Sequence, residues 1–196
     1  DDKFIRIEDI TPVEFFNKYV KINLDDYVSI INAPTSDKPF NKTYTVKYLG
    51  NVYGMDKVVY LNLPIDELKD LTIKQLSDNQ AVWFGSDVGQ FSIRETGIMS
   101  LDLLDVDKLF STGFNMSKAE RLDYCESMMT HAMLLCGVNI MDNGKPNRYR
   151  VENSWGKDVG RDGFFVMSDE WFDEFVYQVV INKKYLSCEQ LASLKE

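Results

Sequence analysis

One hairpin, encoded by residues 131–154, limits the fold of this chain more than any other stretch. The segment "HAMLLCGVNI" is apolar on both faces, as in a buried strand. It runs into "DNGKPN", a turn sequence that reverses the chain, and "RYRVENS" returns as the partner strand. This register places His131 nearly opposite Asn153 or Ser154. The sequence therefore predicts an antiparallel pair that brings an imidazole and a carboxamide within cross-strand reach.

His131 is the only histidine in the chain, and Asn153 follows it 22 positions later. A lone histidine at the start of a buried strand is more often a satisfied core or surface residue than a catalytic one. A neighbouring carboxamide favours catalysis, because it can accept one ring N–H while the other ring nitrogen faces a nucleophile. Trp155 can shield that hydrogen bond from water, or it can simply pack the hairpin end against the core. His131 and Asn153 are therefore candidate catalytic residues.

The remaining patterns predict an α+β fold. Thr11 to Glu14 is a capping box that starts a helix over residues 12–20, with Val13, Phe16 and Val20 on one face. The clearest helix covers residues 64–78, and a weaker one lies within residues 117–127. Residues 43–51 and 57–64 look like paired antiparallel strands around a turn. Further strands are predicted at 25–34, 81–89, 163–168 and 177–182, with a capped helical turn at 168–175.

Composition excludes several classes of function. The 196 residues carry a net charge of −9, with basic residues scattered singly, which argues against a nucleic-acid partner. No apolar run reaches the ~18 residues that span a bilayer, and the first ten residues lack the features of a signal peptide. The three cysteines Cys125, Cys136 and Cys188 form no C-x-x-C pair, which fits a reducing compartment. We expect a cytoplasmic protein without membrane contact.

The His/Asn hairpin lies within a longer resemblance. "THAMLLCGV" followed by "RYRVENSWGKDVGRDGFFVMSDEWF" is similar to the His/Asn half of papain-like cysteine peptidases. "DDYVSIINAPTSDKPFNKTYTVKYLGNV", "VWFGSDVG", "SKAERLDY" and "FVYQVVINKKYL" resemble the bacterial aminopeptidase C and bleomycin hydrolase group across essentially the whole chain. The resemblance implies a papain-like antiparallel-sheet domain with helical elements over residues 1–196. It also implies that His131 is the general base and acid and that Asn153 orients it.

The same resemblance implies a missing nucleophile. In papain-like enzymes the nucleophilic cysteine precedes the histidine by ~130–150 residues, in a motif like C-G-S-C-W. Here no cysteine precedes Cys125, so the N-terminal, cysteine-bearing half is absent and this chain alone should be inactive. Cys125 lacks the helix N-terminus or cation that activates a thiolate. Cys136 is expected to be a small core residue of its strand, and Cys188 lies in a polar tail.

By resemblance, the complete protein is a cysteine aminopeptidase that hydrolyses N-terminal residues from peptides and requires no cofactor or metal. Its implied partners are peptide substrates, the N-terminal half and further copies of itself in a homohexamer. Family chains continue past a helix like "SCEQLASLKE" into an arm whose terminal carboxylate restricts them to free N-termini; for a chain ending at Glu196 that restriction stays open. The alternative is a non-catalytic module for interaction or assembly. An upstream reading frame encoding a Cys-Trp helix would separate the two.

Overall fold

A single sheet of ten strands runs through the part of the chain that the structure describes, which is residues 3–50, 52–113 and 115–195. In this computed structural model the strands are β1 (Tyr27–Ile31), β2 (Lys42–Tyr44), β3 (Tyr60–Asn62), β4 (Val82–Ser86), β5 (Ser92–Ile93), β6 (Ile98–Met99), β7 (His131–Ile140), β8 (Pro146–Glu152), β9 (Phe164–Ser168) and β10 (Val176–Asn182). Their order in the sheet is β2-β3-β1-β10-β4-β7-β8-β9-β6-β5. Only the β1/β3 and β6/β9 pairs are parallel among these described strands.

Six short α-helices within the same ranges accompany the sheet. They are α1 (Pro12–Phe15), α2 (Ile65–Ser77), α3 (Val106–Phe110), α4 (Lys118–Asp123), α5 (Asp169–Phe175) and α6 (Cys188–Ser193). Single 3-10 turns occupy Leu24–Asp26, Leu101–Leu103 and Lys183–Tyr185. As its periodicity predicts, α2 buries Leu68 and Leu71, while Ile65 and Leu76 pack against the edge of the core. None of the helices described is long and apolar enough to cross a membrane.

The predicted hairpin is confirmed as β7 and β8. Leu134 pairs with Glu152, and Asn139 pairs with Arg148, in antiparallel register. The register shifts between Leu135 and Gly137, so one residue of β7 is extra there. Because β8 ends at Glu152, Asn153 is the first residue beyond it and lies at the same end of the hairpin as His131.

The core lies between the sheet and helices α2 and α5. Tyr149 of β8 stacks on Phe172 of α5 with ring centroids 4.9 Å apart, and both side chains are fully buried. The Tyr149 hydroxyl donates to Asp169 Oδ1 at 2.9 Å, and Lys69 Nζ of α2 lies 2.8 Å from Asp169 Oδ2. Burial raises the pKa of Tyr149, so its hydroxyl remains a donor at neutral pH. This network joins α2, α5 and β8 without an unpaired charge at Asp169.

Two sequence predictions for the first sixty residues need correction. The capping box is present, since Thr11 N–H donates to the Glu14 carboxylate at 2.9 Å. However, α1 ends at Phe15 and the chain continues as a π-helix (Phe16–Val20), which breaks the 3.6-residue spacing. Val13 and Val20 are exposed, at 69% and 40%, and Phe16 is half-buried. The antiparallel pair is confirmed as β2 and β3 but is only three residues long; Asn51 lies outside the described residues.

Candidate active site

His131 and Asn153 meet at one end of the β7/β8 hairpin. His131 Nε2 lies 3.0 Å from Asn153 Oδ1, which confirms the hydrogen bond that the hairpin register predicts. Both side chains are half-buried, so the pair is sheltered and still reachable from outside. The backbone N–H of Asn153 donates to the carbonyl oxygen of Gly163 at 3.0 Å, which anchors the residue just beyond the last β8 pair.

The hydrogen bonds around Asn153 determine the tautomer of His131. The Ser154 backbone N–H donates to Asn153 Oδ1 at 2.8 Å, which identifies that atom as the carbonyl oxygen of the amide. An amide oxygen only accepts, so the ring hydrogen must be on Nε2 of His131. In the neutral ring Nδ1 is then the free acceptor. An imidazole in this state can take a proton from a thiol placed at Nδ1.

Aromatic side chains cover the His131–Asn153 pair. The rings of His131 and Trp155 are stacked, with centroids 4.8 Å apart and an interplanar angle of 26°. Trp155 also contacts buried Phe165 edge-on at 5.9 Å, so it both shields the pair and packs against the core. The Arg94 guanidinium lies 4.9 Å from the Trp155 ring centroid. Arg94 comes from a separate loop, and no local pattern in the sequence indicates this contact.

The three cysteines are all exposed, and no described hydrogen bond joins any of them to the imidazole of His131. Cys125 has a left-handed backbone (φ 57°) in the turn that follows α4. Cys188 is the first residue of α6. The prediction that Cys136 is a core residue is wrong: side chains of β7 alternate between the two faces of the sheet, and Cys136 falls on the exposed one. Its thiol donates to the carbonyl oxygen of Arg150 at 3.4 Å. Partial burial raises the pKa of the Cys136 thiol, the opposite of what a nucleophile requires.

The described residues offer little else that could form a catalytic centre. Among them, no group of three or more His, Cys, Asp or Glu side chains could hold a metal ion. A groove of about 570 Å³ lies on β7, β8 and β9, but neither His131 nor Asn153 lines it. Three arginines do: Arg148, Arg150 and Arg161. The His131–Asn153 pair therefore lies outside this groove.

The whole chain, residues 1–196, matches the Peptidase C1-like family. The chain belongs to this family. Aminopeptidase C of Streptococcus thermophilus is 51% identical over 193 residues, which cover 98% of this chain and 43% of that protein. Human bleomycin hydrolase is 42% identical over 201 residues, covering 100% of this chain and 44% of that protein. The predicted resemblance to the aminopeptidase C and bleomycin hydrolase group is thus confirmed.

A solved structure supports the same assignment at the level of the fold. The crystal structure of PepW from Lactobacillus rhamnosis HN001 superposes with a TM-score of 0.92 at 60% sequence identity. The match covers 95% of this chain and 42% of that one. The α+β, papain-like fold predicted for this member of the Peptidase C1-like family is confirmed. The chain spans less than half the length of each of these relatives.

Proposed function

We propose that this chain is the histidine-bearing, C-terminal part of a cysteine aminopeptidase. The observation that carries the proposal is the bond from His131 Nε2–H to Asn153 Oδ1, which leaves Nδ1 free for a thiol. Membership of the Peptidase C1-like family and about 50% identity to aminopeptidases C support the same reaction class. The nucleophilic cysteine then belongs to the portion of the longer protein that these 196 residues do not include.

The proposed reaction uses His131 twice. Nδ1 accepts the thiol proton, giving a thiolate–imidazolium pair, and the thiolate sulfur adds to the carbonyl carbon of the peptide bond. The imidazolium then returns its Nδ1 proton to the leaving amine as the C–N bond breaks, which leaves a thioester on the cysteine. Water, deprotonated by His131, hydrolyses the thioester and releases the new carboxylate. Asn153 accepts from Nε2–H throughout, so the ring keeps its orientation in both protonation states.

The surface of the first sixty residues supports pairing with an N-terminal half. Large apolar side chains stand exposed there without a covering element among the residues described. Exposed apolar side chains that form one patch usually mark an interface, so we expect these to lie together against the N-terminal half. The most exposed of these side chains are Phe4, Ile5, Val13, Leu24, Tyr48, Val52, Tyr53 and Met55. The proposal includes a homohexamer in the cytoplasm as the form of the complete protein, and on its own the 196-residue chain is expected to self-associate.

Peptidase assays on the complete gene product and on this chain test the proposal. The complete protein is expected to hydrolyse an aminoacyl-coumarin substrate, and His131→Ala should abolish turnover while the protein stays folded. The 196-residue chain alone should show no turnover. Activity that survives His131→Ala would refute the catalytic role. A folded complete protein without any peptidase activity would instead favour a non-catalytic assembly module.

A further inference from the structure

We propose that Asp87 is a positioning residue for His131, acting through Ser127 and Thr130. The inference rests on the proposed function and extends it to the backbone that carries the imidazole. Strand β4 ends at Ser86, whose Cα partner on β7 is His131. Asp87 is the next residue after Ser86, and Thr130 is the residue before His131. The end of β4 and the residues before β7 therefore meet at the point where β7 begins, at His131.

The Asp87 carboxylate binds two hydroxyls of the segment that leads into β7. Ser127 Oγ donates to Asp87 Oδ2 at 2.8 Å. The single hydroxyl hydrogen of Thr130 is shared between Asp87 Oδ1 at 3.3 Å and the Ser86 carbonyl oxygen at 3.4 Å. Asp87 is 7% exposed and Ser127 is 3% exposed, so these bonds lie in a low-dielectric environment that strengthens them. The Thr130 backbone N–H also donates to the Ser86 carbonyl oxygen at 2.9 Å. Residues 127–130 are thus fixed at both ends.

The network continues to β10 through Tyr177. Its hydroxyl oxygen lies 2.6 Å from Ser127 Oγ. Because the single hydroxyl hydrogen of Ser127 goes to Asp87, Tyr177 must be the donor to Ser127. Burial raises the pKa of Tyr177, which keeps that hydrogen in place. The Asp87 backbone N–H donates to the Phe175 carbonyl oxygen at 3.1 Å, so the backbone of Asp87 is anchored to the junction between α5 and β10.

A second, independent observation is the close packing of the Met129 side chain against Gly85. A Cβ atom added to Gly85 would lie 2.1 Å from Met129 Sδ. The segment 127–130 that leads into β7 therefore passes β4 at a residue that has no side chain. Gly85 pairs with Ala132, the residue after His131. Backbone bonds, the Asp87 carboxylate and this close contact therefore fix the path of the chain on both sides of His131. Asn153 holds the ring, and Asp87 holds the backbone from which the ring projects.

The test uses the single histidine as a spectroscopic probe. Imidazole nitrogen-proton correlation spectra of this chain report the tautomer and the Nε2–H bond without any need for catalysis. Asp87→Asn, Ser127→Ala and Thr130→Val are each expected to shift or broaden the His131 signals, and Thr130→Ser, which keeps the hydroxyl, should retain them. Tyr149→Phe is the matched control, because it removes a buried hydroxyl–carboxylate bond of 2.9 Å at another place in the fold.

Kinetics of the complete protein give the second readout. Asp87→Asn should lower kcat by about tenfold to a hundredfold, as misplacement of a catalytic group does, with KM within about twofold. If Asp87→Asn does not fold, the test uses Thr130→Val and Gly85→Ala instead. Adding Met129→Ala to Gly85→Ala removes the clash and should restore the His131 signals. Unchanged His131 signals in the folded variants overturn the proposal, and so do equal changes in Tyr149→Phe. An inactive complete protein would count against the proposed function, while the spectra would still decide the role of Asp87.

Discussion

The imidazole of His131 lies against the indole of Trp155, with ring centroids 4.8 Å apart and planes inclined by 26°. The stack covers one face of the imidazole, and Asn153 binds its Nε2 edge at 3.0 Å. These two contacts define the plane of the ring and leave Nδ1 as the edge that the proposed reaction uses. Each contact can be removed separately, so each gives a prediction for the complete protein.

Replacing Trp155 with Ala should weaken catalysis by exposing the His131–Asn153 bond to water. A hydrogen bond loses strength when its surroundings become more polar, and a loss of about 1.4 kcal/mol corresponds to about tenfold in kcat. We expect Trp155→Ala to lower kcat by about that factor. Trp155→Phe, which keeps a flat ring, should retain most of the activity. Equal kcat values for the Ala variant and the parent would show that Trp155 only packs the core.

Replacing Asn153 with Ala should have a larger effect, because it removes the acceptor for Nε2–H. Hydrogen bonds to charged groups contribute about 1.5–3 kcal/mol, so kcat should fall about ten- to a hundredfold. Steady-state kinetics should place the loss in kcat rather than KM, because Asn153 acts on the ring and not on the substrate. A change confined to KM would contradict the assigned role.

Local sequence patterns predicted the His131–Asn153 hydrogen bond because the two residues are close along the chain. The turn at Asp142 to Gly144 reverses the chain, and the antiparallel pairing that follows brings His131 to the same end of the hairpin as Asn153, even though the register shifts twice along it. The same reasoning failed for Cys136, because a run that is apolar on both faces does not show which alternate side chains are buried. It also missed Asp87, whose partners Ser127 and Thr130 lie 40 and 43 residues away in sequence. Contacts at that separation depend on the order of strands in the sheet.

Lys118 should make the stability of this chain depend on pH. Burial lowers its pKa to about 7, while the nearby Glu174 and Asp173 carboxylates raise it in part and Arg121 lowers it. Its Nζ donates to the carbonyl oxygens of Asp173 and Val176 at 2.8 and 2.7 Å. Between about pH 7 and the unfolded-state pKa, the unfolded chain binds more protons at Lys118 than the folded chain does. This group alone therefore makes the free energy of unfolding rise with pH.

Urea unfolding of the parent chain and Lys118→Met measures that contribution. The difference in free energy of unfolding, parent minus variant, should rise from about pH 7 to about pH 9 by on the order of 2 kcal/mol. Loss of the two carbonyl bonds shifts the variant by an amount that does not depend on pH. A difference that stays flat over this range would show that Lys118 keeps its charge in the fold.

Phe84 should be among the most costly core residues to truncate. It is fully buried on β4, the strand that joins β10 to the His131 strand β7. Phe84→Ala removes a large buried ring and leaves a cavity, which should lower the free energy of unfolding by about 3–5 kcal/mol. Val166→Ala on β9, where the side chain is 48% exposed, should change it by only about 0.5 kcal/mol or less. Comparable losses for the two variants in urea unfolding would contradict the location of the core.

The rate of cysteine alkylation in the complete protein tests the central claim most directly. If His131 holds a thiolate, one cysteine should react with iodoacetamide much faster than an ordinary thiol at about pH 6, where free cysteine is protonated. Peptide mass spectrometry should place that cysteine outside these 196 residues, and His131→Ala should reduce its rate to that of an ordinary thiol. Rapid labelling of Cys125, Cys136 or Cys188, or a fast cysteine unaffected by His131→Ala, would contradict the account.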